Sequence, residues 1–347
     1  MLKLNIAVVK RLFSFSFILM ILSSCNDDKG KNIPSVSVED TDARVIDFRP
    51  YARDTQKIEA AFETHPVMSE IFFHHILGLP QDDTSKMRQG FSDYIGLEAT
   101  EEISQLIDSI YPDVQGIEEE WKMAMAFYHH YFPDHTSPHL YVLQSNLALA
   151  NFLFENKDSR DAVGVSLGFF LGEAFPYVSL AHDNPVFSEY NSRTFNRDHL
   201  ITKSVNAILD DLSGPPLEKN MLNSMIREGK RLYVLEAVCA EISDTAVFEM
   251  TPEQLQWCED NEFEMWNFFI ERELLYETDL NNYGKYLRPA PTSHGMPAES
   301  PGRTAAFTGY RIVDTFMENN PGLSFTDMLN MDNQTIYDRA KYKPKRK

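Results

Sequence analysis

Histidine is the side chain best able to ligate metal or move protons near neutral pH, and four of the ten in this chain stand close together. They are His129, His130, His135 and His139, set around Tyr131-Phe132-Pro133-Asp134. A zinc site needs three or four such ligands converging. Adjacent histidines on a helix point about 100° apart, and no i, i+4 pair here is matched by a second ligand-bearing helix, so no metal site is expected. The pair His74 and His75 reads as helix-surface packing. No phosphate-binding loop and no dinucleotide Gly-x-Gly-x-x-Gly occurs, and no nucleophile elbow is assigned, because Ser166 in Val165-Ser166-Leu167-Gly168 reads as a strand serine. With 52 acidic residues chance carboxylate pairs are many, and none is distinguished as an acid/base pair. No catalytic residue, cofactor or metal is assigned.

The remaining reactive group is the thiol of Cys25, and its meaning depends on the segment before it. Lys3, Lys10 and Arg11 flank an apolar run from Leu12 to Leu22, which is too short for a stable bilayer span and reads as a signal peptide. The run closes on Leu22-Ser23-Ser24-Cys25, which resembles the lipobox of bacterial lipoproteins. That resemblance implies cleavage between Ser24 and Cys25, a diacylglyceryl group on the Cys25 sulfur and acylation of the new amine. An ordinary signal peptide with a chance cysteine is the alternative. Each buried methylene contributes about 0.8 kcal/mol, so several chains hold where one does not.

The charge balance is 32 basic against 52 acidic residues, or −20, and loss of residues 1–24 removes three positive charges and no negative one. Such a field repels phosphate and argues against nucleic acid as a partner. The one dense basic stretch, Lys341, Lys343, Lys345, Arg346 and Lys347, reads as a solvated tail. At 43% hydrophobic residues the chain can bury a substantial core. Past the signal, Cys239 and Cys258 could pair in an oxidising compartment or stand as two buried free thiols. The lack of any disulfide framework favours the thiols.

Residues 25–41 form an expected polar tether, and 42–347 a single α+β domain that is predominantly helical. Its first part, 42–134, is helix-rich, with a strand at Arg44–Phe48 and helices at Thr55–Glu63, Val67–Leu77, Glu101–Ile110 and Val114–Tyr131. A small mid-chain sheet is expected across 138–171, from strands at Pro138–Ser145 and Ala162–Phe170, with Leu147–Phe154 either strand or short helix. Helices dominate 185–347, including Arg197–Leu212, Pro216–Cys239 and Arg303–Asn319. Thr251-Pro252-Glu253-Gln254 combines an N-cap, a proline at N1 and a reciprocal N3 side chain, which sets a helix start at Thr251.

The lipobox, Tyr131-Phe132-Pro133, Gly164–Glu173, Met225–Tyr233, Thr251–Cys258, Pro291–Gly302 and the ending Lys341-Tyr342-Lys343-Pro344 together resemble the gliding-motility lipoprotein B family over nearly the whole mature chain. The resemblance implies a lipid-anchored envelope protein needed for surface gliding of certain bacteria, in company with other envelope proteins of the motility and secretion apparatus. A more distant similarity, in the order of elements, is to predicted zinc peptidases with a zincin-like fold. In those enzymes a His-Glu-x-x-His helix and a later glutamate bind zinc. Glu228 stands where that glutamate would be, but the helix Leu200-Ile201-Thr202-Lys203-Ser204-Val205-Asn206-Ala207 carries no histidine and places Lys203 there, while His199 just precedes it. The zinc motif is therefore degenerate. The expectation is a non-catalytic binding or assembly component facing the periplasm, with any groove lined by Glu228, His199 and Lys203. The alternative is an envelope hydrolase or peptidase with dispersed catalytic groups.

Overall fold

A computed structural model describes residues 33–214 and 220–346. The chain divides into two compact units at Pro34, and the second, Ser35–Lys347, carries every element below. The signal segment, Ser24, Cys25 and the first half of the expected tether lie outside the described residues. The second half is structured: Ser37 and Asp40 form a capping box on a 3-10 turn, Val38–Asp40, that lies beside the helix Gln115–Tyr131.

The sheet has four strands, β1 (Val45–Asp47), β2 (His139–Leu143), β3 (Asn151–Glu155) and β4 (Asp161–Ser166), in the order β1-β2-β4-β3. The first three in that order run parallel, and β3 closes the edge as an antiparallel hairpin partner of β4. Parallel strands need both faces covered, and the period-2 alternation divides them between two cores. Leu140, Val142, Val163 and Val165 face the larger core. Tyr141, Leu143 and Ala162 face the smaller, where Phe48, Phe72, Phe73 and Phe91 pack edge to face. Gly164 has no side chain because the Phe152 ring fills that place.

The smaller core is roofed by α1 (Ile58–Thr64), α2 (Pro66–Ser69), a π-helix Glu70–Ile76 and α3 (Thr84–Ile95). The helix expected at Val67–Leu77 is thus a short α-turn that widens, which seats the consecutive Phe72 and Phe73 both fully inside. The larger core holds α4 (Glu98–Ile110), α5 (Gln115–Tyr131), α7 (Leu200–Leu212) and α8 (Met221–Val238), while the short α6 (Glu189–Ser192), ahead of α7, buries no residue. The larger core is completed by α9 (Asp244–Phe248), α10 (Pro252–Asp260), α11 (Glu262–Glu271), α12 (Leu280–Tyr283), α13 (Thr304–Glu318), α14 (Phe325–Asn330) and α15 (Asn333–Ala340). The strand expected to run through Phe170 stops at Ser166. The chain turns into a 3-10 segment, Leu167–Phe169, so that Phe169 reaches an aromatic cluster with Phe187 and Phe195.

The capping box at Thr251 forms as the spacing predicts, with Gln254 returning to the Thr251 N–H at 3.1 Å. Cys239 and Cys258 are buried free thiols, both pushed above the ordinary thiol range by burial. The basic tail is less free than its composition suggests. Tyr342 is buried with its hydroxyl donating to Glu262 at 2.7 Å, and Arg346 lies 3.3 Å from Glu264.

Candidate functional site

Helices α8 and α13 form the backbone of the site, and two glycines set their distance. A Cβ on Gly229 would fall on the Gly309 carbonyl, and one on Gly309 would fall on the Met225 carbonyl. Only glycine at both positions lets the two backbones touch. That contact fixes Arg227, Glu228 and Arg231 on α8 relative to Arg303, the residue before α13.

Around them lies an ion cluster centred on Glu249, a residue just past α9. Lys203 of α7 donates from Nζ to Glu249 Oε1 at 2.8 Å, and the Arg303 guanidinium donates to Oε2. Arg193 holds the Glu249 carbonyl at 2.6 Å and also donates to Gln254 Oε1 at 2.6 Å, which ties the cluster to the α10 cap. Beside this set, Arg231 donates to Glu228 and, at 2.6 Å, to Asn206 of α7, with Asp210 3.7 Å away. Glu249 and Arg303 both adopt left-handed backbone at φ 52° and 62°, a conformation that costs non-glycine residues of order 1 kcal/mol or more and persists where surroundings impose it. The two strained residues are each other's ion-pair partners.

The electrostatics follow from burial and pairing. Burial alone would raise the pKa of Glu249, but Arg303 and Lys203 more than reverse it and hold the carboxyl well below the usual carboxylate range. Glu228 behaves alike: burial opposes ionisation, Arg231 overcomes it, and the net shift is downward. His199 sits on the 3-10 turn leading into α7, where its Nδ1–H donates to Asn196 Oδ1 at 2.8 Å. Burial pushes its pKa down to about 4, against the opposing pull of Glu249, so the imidazole is neutral at pH 7.

The structure therefore brings Lys203 and His199 to Glu249 and places Glu228 in an adjoining pair with Arg231. Glu249 itself escaped the sequence reading, since its partners lie 46 and 54 positions away and nothing in Phe248-Glu249-Met250 marks it. The donor set does not suit a metal. One imidazole and two carboxylates, each already saturated by a fixed cation, stand around an ammonium, and a divalent ion would meet Lys203 and Arg303 as like charges. Among the described residues no group of three or more His, Cys, Asp or Glu is arranged to hold a metal ion.

Four of the other histidines are engaged elsewhere. His135 Nδ1 meets the Tyr128 hydroxyl at 3.2 Å, His139 Nδ1 accepts the Arg44 N–H at 3.3 Å, and His130 packs edge-on against Tyr131. His74 Nδ1 bonds the Leu79 carbonyl at 2.9 Å, and its side chain is buried rather than on the helix surface. Gly164-Val165-Ser166-Leu167-Gly168 does have the spacing Gly-x-Ser-x-Gly, at a strand-to-turn junction. Ser166 nevertheless keeps an extended backbone at φ −90°, and its Oγ lies within 3.1 Å of both the Ser145 N–H and the Ser145 hydroxyl. Ser145, not an imidazole, is its partner, so it is a buried strand-end hydroxyl, in keeping with the strand-serine reading.

A separate cavity of about 350 Å³, which none of the cluster residues lines, lies between Met123 and Phe127 of α5 and Val238 and Cys239 at the end of α8, with Glu120, Arg197 and Asp198 also in its wall. Arg197 and Glu120 close on each other through two bonds of 2.8 Å.

These features define a mostly helical α+β protein with a small mixed sheet, whose central polar cluster is a closed set of ion pairs. The family model described as gliding motility protein GldB matches residues 24–344, and the chain belongs to that family. Membership implies involvement in gliding motility, as the motif resemblance leads one to expect. No curated protein and no solved structure matches the chain, so the zincin-like resemblance of the fold gains no structural neighbour. Among the described residues no helix is long and apolar enough to cross a membrane.

Proposed function

We propose that this protein is a lipid-anchored component of the gliding apparatus that acts by binding or assembly, without catalysis. Its anchor is Cys25, exposed as the new N-terminus by cleavage after Ser24, and residues 25 to about 36 tether the folded body on the periplasmic side. Its partners are other envelope proteins of the motility and secretion machinery. The antiparallel edge strand β3 followed by the packed helices α7 and α8 supports a zincin-like frame. In that frame Lys203 stands on the helix that would carry zinc ligands, and Glu228 on the helix that would supply the glutamate.

The observation that carries the non-catalytic reading is the Lys203–Glu249–Arg303 arrangement. A general base must be free to take up a proton during turnover, and a metal ligand must have a lone pair free for the ion. Here both carboxylates, Glu249 and Glu228, are partly buried and committed to fixed cations. The anchor is tested by Cys25→Ala in cells supplied with a labelled fatty acid. Loss of label and release from the membrane fraction are expected, whereas continued labelling refutes the assignment.

A further inference from the structure

The stretch from Glu259 to Asp279 holds eight acidic residues and one basic residue, Arg272. Two of those acids are spent internally, since Glu262 pairs with Arg311 and Glu264 with Arg346. Arg272 itself lies over the Phe268 ring at 5.7 Å. What faces solvent at the end of α11 is therefore an acidic rim of Glu271, Glu273 and Asp279, with Glu277 half-buried beside them. Glu277 is held in place by the N–H groups of Thr278 and Asp279 at 2.7 and 2.8 Å and by the Asn282 amide at 2.9 Å. Glu273 takes left-handed backbone, φ 55°.

Beside this rim large apolar side chains stand at the surface. Ile270 and Tyr276, which line one cavity, are 47% and 61% exposed, and large apolar groups exposed together mark interaction sites more often than chance. A cavity of about 530 Å³ opens between the end of α11 and the 3-10 turn Leu274–Tyr276, walled by the apolar Phe269, Ile270, Leu275 and Tyr276 and by the polar Glu273, Glu277 and Thr278.

We propose that this face docks a basic segment of a partner protein, one apolar side chain of which enters the cavity while flanking lysines or arginines meet the acidic rim. Charge decides the occupant. A second copy in two-fold contact would bring the same acidic rim against itself, its basic C-terminal stretch already lies by α11 with Arg346 on Glu264, and an anionic bilayer would be repelled, whereas a cationic segment of a partner is attracted and oriented. Tyr276 and Ile270 form the desolvating centre on which affinity concentrates, and Glu271 and Glu273 steer the approach. The proposal gives a location to the binding role inferred above and rests on that reading.

The test uses the full chain in detergent and a fluorescein-labelled peptide that alternates paired lysines with leucine or phenylalanine, read by anisotropy. A matched peptide with glutamate for lysine is the control. Binding of the lysine peptide alone is expected, weakened about tenfold or more by Ile270→Ala with Tyr276→Ala. Glu271→Lys with Glu273→Lys should slow association and flatten its salt dependence. Equal binding of both peptides, or variants that bind like the parent with unchanged melting temperature, overturns the docking surface. So does a dimer dissolved by Tyr276→Ala in sedimentation, or Tyr276-dependent capture by phosphatidylglycerol vesicles. Stoichiometric zinc with peptide cleavage would overturn the non-catalytic reading instead, and would leave the peptide result standing.

Discussion

Glu249→Gln removes one charge and almost no volume, so its effect isolates what the central carboxylate does. At 2.8 Å from Lys203 Nζ, and with an effective dielectric near 20, the gross attraction is about 6 kcal/mol. Desolvation offsets much of this. The larger effect comes from what the substitution leaves behind, because Arg303 and Lys203, with side chains 7% and 22% exposed, would face a neutral amide. Breaking a buried pair in this way costs about 3 to 5 kcal/mol, and at roughly 2 °C per kcal/mol in a body of this size the melting temperature should fall by about 6 °C or more.

Two controls refine the reading. In the Glu249→Gln background, Lys203→Met should cost far less than in the parent, because the charge it would strand is already gone. The pH dependence has a definite sign: a carboxyl whose folded pKa is depressed stabilises above its unfolded value, about 4.3, and that stability drains away as pH falls toward the folded value. The gap between parent and variant should accordingly be widest near neutrality and close in acid. Thermal melts from pH 3 to 8 read both effects. A loss below about 1 °C at pH 7, or a gap that does not change with pH, would refute the claim that this carboxylate anchors the cluster.

Three further outcomes follow from the same geometry. The folded imidazole of His199, with a pKa near 4 against 6.5 when unfolded, binds fewer protons than the unfolded chain between those values. Stability should drop by about 3 kcal/mol as pH falls through that window; His199→Gln should flatten that limb, and an NMR titration midpoint near 6.5 would contradict it. Gly309→Ala should force α13 off the Met225 carbonyl and cost roughly 2 kcal/mol or more, measured by denaturant unfolding; a neutral result would mean the helices do not meet there. Both buried thiols should resist a maleimide in the native protein and react only on unfolding, and rapid native labelling of Cys239 would place it on an open surface.

Much of the architecture is legible in local sequence, and the remainder is not for identifiable reasons. The Thr251 cap announces itself because every participant lies within four residues. The strands β2 and β4 appear as branched and aromatic runs because both of their faces are buried. The π-helix at Glu70–Ile76 has no local signature; it forms because two consecutive phenylalanines must both enter one core. The Ser166 junction shows the converse, a motif-like spacing without the constellation that would give it chemistry. Of the site, Glu228, Lys203 and His199 are visible as helix positions. The residue that joins them is Glu249, brought in by tertiary packing and held in a backbone conformation that propensity would not assign to glutamate.

The non-catalytic role is tested most directly by metal content and peptide hydrolysis measured together on the detergent-solubilised full chain. The expected result is substoichiometric zinc that dialysis removes without change in melting temperature, and no cleavage of a mixed peptide pool. Stoichiometric zinc accompanied by cleavage that a chelator abolishes would contradict it.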